Sequence, residues 1–259
     1  DLSAPHINRI FVYTNKSLDA VELKACDISP GGALLHDREW AIFDDRDVFV
    51  NAKRTPAIHK LRTEFTPDFS QAGFHTGDSD TRWFELQEGA GPISDYLSDF
   101  FGYPVQLKRE IRIGYPDDRD ASGPTLLGRE TLEAIREWFP PLDSEALWRR
   151  FRANIEITGA DPFWEDHLYG RDGVAFRMGP VATLGLKPCA RCVVPTRDPV
   201  TAEIYPSFSK ILTGKRRETL PAWADENKFT HYFRMAVNTR IDPAEQGKQV
   251  KVGDPIVLT

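Results

Sequence analysis

The segment Lys187-Pro188-Cys189-Ala190-Arg191-Cys192 holds the densest concentration of reactive side chains in the sequence. Two thiols with two residues between them can serve three chemistries. A structural zinc site needs four ligands. Beyond the pair there are only Cys26 and the histidines His6, His36, His59, His75, His167 and His231, and none of them forms a second knuckle. A thioredoxin-like dithiol expects the pair at the start of a helix that follows a strand. Here Val193-Val194-Pro195 follows, which does not begin a helix. The third chemistry is one thiolate serving a soft metal while the other cysteine is structural. Lys187 and Arg191 would favour the deprotonated thiol. Phosphate loops are excluded: Gly214-Lys215 lacks the upstream glycine of a Walker loop, and Gly31-Gly32 is no G-x-G-x-x-G fingerprint.

The elements that must position these cysteines are mostly strands. Ile10 to Tyr13 is an apolar run, and Val21, Leu23 and Ala25 alternate with Glu22, Lys24 and Cys26 as in a half-buried strand. Pro30-Gly31-Gly32 marks a turn. Trp40 to Phe43 and Val48 to Val50 flank Asp44-Asp45-Arg46-Asp47 as the arms of a hairpin, and Leu61 to Phe65 and Trp83 to Leu86 read as further strands. Helical spacing appears at Ile93, Leu97 and Phe100 before Gly102, and at Leu132, Ile135 and Phe139 before Pro140-Pro141. Asp143 can cap a helix carrying Leu147 and Phe151. Another helix carries Phe208, Ile211 and Leu212 and closes at Gly214. Ile155 and Ile157 alternate with Glu156 and Thr158. Phe229, Phe233, Met235 and Val237 share one face of a long strand, and Val250 to Leu258 reads as strand, turn, strand. Short strands with few helices predict an α+β, β-barrel-rich fold. The Asp-, Pro- and Gly-rich stretch from Gly114 to Pro124 marks a boundary, giving expected domains 1–115 and 116–259.

The 259 residues are 41% hydrophobic and 28% charged, as in globular chains. A formal charge of −6 argues against nucleic acid as a partner. No apolar run of about 18 residues is present, so no membrane segment is expected in this chain. No signal peptide is visible, and three cysteines are too few for a disulfide framework. A reducing, cytoplasmic setting is expected, although the sequence starts at Asp1 rather than Met.

Several motifs occur in a familiar order. Lys187 to Cys192 is followed by Thr196-Arg197-Asp198-Pro199 and Thr201. Upstream lie Tyr13-Thr14-Asn15-Lys16-Ser17, Gly31-Gly32, Asp37-Arg38-Glu39-Trp40 and Arg150-Phe151-Arg152-Ala153-Asn154-Ile155, and Val252-Gly253-Asp254-Pro255 closes the series. Together they resemble the MOSC family, with an N-terminal β-barrel companion to the MOSC domain. The branch it is most similar to contains the mitochondrial amidoxime-reducing component and its bacterial homologues. The resemblance implies a molybdenum cofactor, Mo-molybdopterin, with Cys192 as the protein thiolate on the metal and Cys189 as a neighbour. It implies that Lys16, Ser17, Arg38, Arg152 and Asn154 surround the pterin and its phosphate, and a basic pocket in an acidic chain suits that anion. The chain departs from the family at Gly123, at Gly128 where Ser is common, and at Ala153 where Pro is usual.

The implied activity is an oxidoreductase that reduces N-hydroxylated or N-oxide-type small molecules, with electrons from a separate donor protein. Asp198, beside the cysteine motif, is the candidate proton donor, and a turn-capping role before Pro199 is equally open to it. Two alternatives stand beside this reading: a sulfur-transfer protein carrying a persulfide on Cys192, and a non-enzymatic carrier of the molybdenum cofactor.

Overall fold

Alternation of apolar and polar residues draws most of the chain into short strands, and a computed structural model describes residues 4–259. In chain order the elements are β1 (His6–Val12), β2 (Val21–Leu23), β3 (Ala25–Asp27), β4 (Trp40–Asp44), β5 (Leu61–Phe65), β6 (Gln71–Thr76), β7 (Arg82–Glu85), α1 (Gly91–Phe101), β8 (Val105–Arg109) and β9 (Leu126–Gly128). There follow α2 (Arg129–Arg136), α3 (Ser144–Phe151), β10 (Ile155–Thr158), β11 (Val174–Met178), β12 (Val181–Ala190), α4 (Phe208–Glu218), β13 (Arg234–Ile241), β14 (Gln249–Lys251) and β15 (Ile256–Leu258).

The main sheet has eight strands in the order β15-β11-β12-β13-β9-β10-β1-β2. Only β9 and β10 pair in parallel. The fold is α+β and β-rich, as the sequence indicates, but the sheets among the described residues are not closed barrels. A single bridge, His6 to Pro255, links the start of β1 to the residue before β15, supported by Ile7 N–H donating to Asp254 O at 2.9 Å. The main sheet draws β1 and β2 from before the Gly114–Pro124 stretch and its other six strands from after it. A division at 115/116 is therefore proposed for the outer layers alone.

Three apolar clusters fill the molecule. Ile7, Ile10, Leu126, Ile157, Phe176 and Val237 pack on one side of the main sheet. On its other side, Leu132, Leu147, Trp148, Phe151 and Phe208 bring α2, α3 and α4 down onto Phe11 and Tyr13. The third cluster joins Trp40, Leu61, Phe74, Ile93 and Leu107 from the smaller sheets β4-β8 and β5-β6-β7 and from α1.

Local rules account for most boundaries. Asp143 caps α3 by accepting from Ala146 N at 2.7 Å. Four sequence expectations change. The stretch from Val21 to Cys26 splits at Lys24 into β2, which pairs with β1, and β3, which pairs with β14, because the inward face switches and Cys26 is buried. The hairpin after β4 has one full arm. Its return touches only through the Phe43–Phe49 bridge, and β8 is the true partner of β4. The strand around Met235 begins at Arg234, so Phe229 and Phe233 precede it. Helix α4 runs through Gly214 to Glu218, since Arg216 on its last turn is buried against Asp166 at 2.5 Å.

That ion pair belongs to a buried group. Tyr169 donates to Asp166 at 2.9 Å, and the Arg216 guanidinium lies 4.9 Å from the Phe163 ring and 5.4 Å from the Phe229 ring. Next to it, Glu165 accepts from Gly128 N and from Thr131 Oγ1. A Cβ at position 128 would sit 2.8 Å from Glu165 Oε2, so a serine there would collide with this carboxylate. Burial, and then the neighbouring Asp166, push the Glu165 pKa up. A raised carboxyl pKa means that the folded state holds the proton more tightly than the unfolded state. The resulting stability is present below the unfolded value of about 4.3 and is lost as pH rises through the folded pKa. Glu165→Gln should therefore flatten the fall in denaturant midpoint on going from acid to neutral pH. An unchanged pH profile in the variant would show that Glu165 is not the group responsible.

Candidate functional site

Residues far apart in sequence converge around the ring of Tyr13, which follows β1 and is buried with its hydroxyl donating to Ala153 O at 3.0 Å. The Arg152 guanidinium lies 4.2 Å from this ring and that of Arg38 5.3 Å. Both arginines have left-handed backbones, φ 52° and 50°, and Arg152 is the residue that ends α3. Arg152 follows the end of α3 and Arg38 lies in the turn before β4, and both side chains reach the ring from these left-handed positions. Lys16 approaches the same cluster and donates to Tyr115 O at 2.9 Å and to Asp117 Oδ1 at 2.5 Å.

The charges do not cancel. Lys16, Arg38, Arg152 and Arg191 face the carboxylates Asp37 and Asp117. Burial works against the Arg38 charge, but Asp37 and Asp117 prevail and hold its pKa above the ordinary arginine value. At Arg152 burial wins, aided by repulsion from Arg38, and the pKa falls. Burial also lowers that of Lys16 against the pull of Asp117. Tyr13 is pushed up to about 12 by burial, so its hydroxyl stays protonated. Excess desolvated cations with fixed donors form a site for a multiply charged anion.

The expected site residues divide by what they touch. Lys16, Arg38 and Arg152 meet at Tyr13 and Asp117. Asn154 is brought there too, but its amide is already used: it donates to Phe11 O and Asp37 Oδ1, both at 3.0 Å, and accepts from Thr125 N, Thr125 Oγ1 and Arg38. It positions Asp37 and Arg38. Ser17, at φ 73°, lines a neighbouring cavity together with Arg152.

The cysteine loop leaves the end of β12. Register shifts between Gly185 and Lys187 and between Pro188 and Ala190 bend the strand there. Gly185 lies so close to Leu168 O that a Cβ would be 1.6 Å from it, which anchors the bend. Cys189 is half-buried and accepts from Arg191 at 3.0 Å, and Arg191 also donates to Phe151 O and to Met235 O. Cys192 is exposed, next to Arg191 and two residues before Val194, which lines the cavity. Lys187 turns away, with its ammonium 2.6 Å from Asp118, so it does not act on the thiols. A single 3₁₀ turn, Val194–Thr196, follows the pair where a dithiol motif would have a helix. Among the described residues no cluster of three or more His, Cys, Asp or Glu side chains is placed to hold a metal.

Asp198 caps a turn. Its Oδ1 accepts from Val200 N and Thr201 N, both at 2.9 Å, and Arg150 lies 3.6 Å from Oδ2. Partial burial opposes its charge, but the Thr201 and Val200 amides prevail and hold the carboxyl below its ordinary range. A carboxyl held ionised is a poor proton donor, so the geometry favours the turn role. Sequence reasoning passed over Tyr13, Asp37 and Asp117. Tyr13 and Asp37 lie inside quoted motifs, whereas no local signal marks Asp117.

Residues 4–87 match the MOSC N-terminal beta barrel domain, and residues 124–257 match the MOSC domain. The chain belongs to the MOSC family. The convergence at Tyr13 therefore joins motifs of both MOSC segments. Two similar proteins are the molybdenum cofactor sulfurases of Danio rerio, 25% identical over 64% of this chain, and of Caenorhabditis briggsae, 22% identical over 84% of it. This MOSC chain spans only 26% and 32% of the length of those two relatives. The crystal structure of YiiM from Geobacillus stearothermophilus aligns with a TM-score of 0.34 at 16% identity, covering 52% of this chain and 53% of that one.

The three thiols differ in access, and reactivity follows thiolate fraction and exposure. Burial pushes Cys26 up to about 12. Iodoacetamide at neutral pH under native conditions should label Cys192 first, Cys189 later and Cys26 only after unfolding. Peptide mass mapping reads the order, and labelling of Cys26 ahead of Cys192 would contradict the packing.

Proposed function

We propose that this chain binds the molybdenum cofactor and works as an oxidoreductase that reduces N-hydroxylated or N-oxide-type small molecules, with electrons from a separate donor protein. The observation that carries the reading is the convergence of Arg38 and Arg152 on the Tyr13 ring, with Lys16 beside them on Asp117 and Arg191 close enough to act on Tyr13. The residues fit the group. Cations outnumber carboxylates in the cluster, and Arg191 Nε is buried there without a partner among the described residues. Cys192 offers a soft, accessible thiol.

Lys16, Arg38 and Arg152 would hold the phosphate-bearing part, and Cys192 would ligate the metal. The bound group supplies a metal centre that takes up and releases electrons. The protein's share is positioning. Asn154 and Asp37 fix Arg38, Leu18 O fixes Arg152 at 2.7 Å, and Asp117 holds Lys16 in place. Tyr13, kept neutral, gives the two guanidiniums a flat apolar face to rest on.

Sulfur transfer through a persulfide on Cys192 is the second reading. It is supported by the exposure of Cys192 and by the names of the two sulfurase relatives. Under it, intact-mass measurement would find one added sulfur on Cys192 and no metal would be required.

Cys192→Ala and Cys189→Ala separate the readings when the protein is made in a cofactor-competent host. In the reductase reading Cys192→Ala abolishes reduction of an N-hydroxy substrate with an artificial reductant, because neither a methyl nor a hydroxyl replaces a thiolate on the metal. Cys189→Ala costs on the order of 1 kcal/mol of stability and keeps its molybdenum. Arg38→Glu should lower pterin and molybdenum content without unfolding the chain. Full reductase activity in Cys192→Ala would remove metal–thiolate chemistry, and equal loss in both cysteine variants would overturn their assignment to different roles.

A further inference from the structure

The two carboxylates of the Tyr13 cluster are held very differently. Asp37 is built in: it accepts from Tyr13 N and from Asn154, and it pairs with Arg38. Asp117 is not. Among the described residues its carboxylate accepts only from Lys16, and its side chain is 86% exposed although its lysine partner is buried. From there it also acts on Arg38, Arg152 and Arg191. One loosely held carboxylate thus faces all four cations of the cluster.

Asp117 belongs to a stretch that lies between the two matched MOSC segments. Both ends of it are pinned. Tyr115 N donates to Arg38 O at 2.8 Å, and Gly123 N donates to Thr239 O at 3.1 Å. Gly114 and Gly123 press so closely on their neighbours that a Cβ would lie 2.5 Å from Asp37 O and 2.6 Å from Thr239 Oγ1. Between these pins, residues 116–122 form one 3₁₀ turn, Arg119–Ala121, and only Ala121 is buried. Two ion pairs from adjacent residues tie the stretch to opposite sides. Asp117 pairs with Lys16, which follows β1, and Asp118 pairs at 2.6 Å with Lys187 on β12, the strand that leads to the cysteines. Ion pairs with an exposed partner are weak and are screened by salt, which suits a fastening that has to come undone.

We propose that residues 116–122 form a strap that closes the cationic cluster until a ligand arrives, with Asp117 standing in for the anion and the Asp118–Lys187 pair holding the strap down. An incoming phosphate group displaces Asp117 from Lys16, and the strap lifts between its pins at Tyr115 and Gly123. The displacement rests on the reading of the Tyr13 cluster as an anion site. The fastening by Lys187 does not, because that lysine lies outside the cluster.

Trypsin reads the strap through Arg119, which is exposed within it. Where opening is fast, cleavage follows the population of the open form. Lys187→Gln should speed cleavage at Arg119 in the full chain about threefold, the size of a partly exposed ion pair. Adding Asp118→Asn should speed it little further, because both changes remove the same pair. An unchanged rate in Lys187→Gln overturns the strap. The second arm is inorganic phosphate, titrated by calorimetry into wild type and Lys187→Gln. Loss of a cation by itself weakens phosphate binding, whereas release of the strap tightens it by the same factor of about three that cleavage shows. Equal or weaker binding in Lys187→Gln overturns the displacement and leaves the cluster an anion site. Phosphate that binds neither protein overturns the anion reading, and the displacement with it. Lys187 is 43% exposed, so its replacement leaves the fold intact.

Discussion

The buried carboxamide of Asn154 is the joint that the site depends on. It reaches β1 through Phe11 O, the loop before β9 through Thr125, and Asp37 through its amide hydrogens. Asp37 in turn accepts from Tyr13 N at 2.9 Å and pairs with Arg38. One side chain therefore couples three stretches of chain and sets where the cations stand. Any replacement leaves several of these groups unmet in a place that water does not reach, and each unmet group costs on the order of 1–3 kcal/mol. The residue that the motif places around the ligand also serves as the strut that holds the neighbouring cations in place.

The chain buries charge in two ways that contrast. Around Asp166, the ion pair with Arg216 is joined by Tyr169 and flanked by the faces of Phe163 and Phe229, and it ties α4 to the residues after β10. Around Tyr13, cations exceed carboxylates and the pKa values of Lys16 and Arg152 are lowered. A balanced group stabilises a fold, whereas an unbalanced group stores an affinity for something with the opposite charge. In a protein of net charge −6 the second kind stands out as local and deliberate.

What could be read from the sequence follows what is local. An apolar run revealed the end of β1, alternation revealed β10, and the Asp143 cap and the Leu147–Phe151 spacing revealed α3. The strand β12 was hidden because Gly185 and Pro188 look like breakers. In the structure Gly185 makes room for Leu168 O, and Pro188 sits at a register shift. The strand β6 was hidden by its mixed composition, Gln71 to Thr76, and β9 by its three-residue length. At the site, the motifs pointed to Lys16, Arg38 and Arg152 before any coordinates. The partner of Lys16, Asp117, was illegible because it lies about a hundred positions away. The role of Asp198 was open between two readings, and its bonds to the Val200 and Thr201 amides are what the turn reading expects.

The pairing of β1 has a consequence during synthesis. Ile7 lies opposite Ile157, and its backbone also bonds to Gly253 and Asp254. At about 5–20 residues per second, β1 emerges from the ribosome on the order of ten seconds before β10 exists, and longer before the final turn does. The smaller sheets and α1, which pair among themselves, can form during that interval. The strand that leads into Tyr13, Lys16 and the rest of the cationic cluster can pair early with β2 but waits for β10 and the final turn until most of the polypeptide has been made. Nascent chains carry the halves of this site apart, and only the finished molecule brings them together.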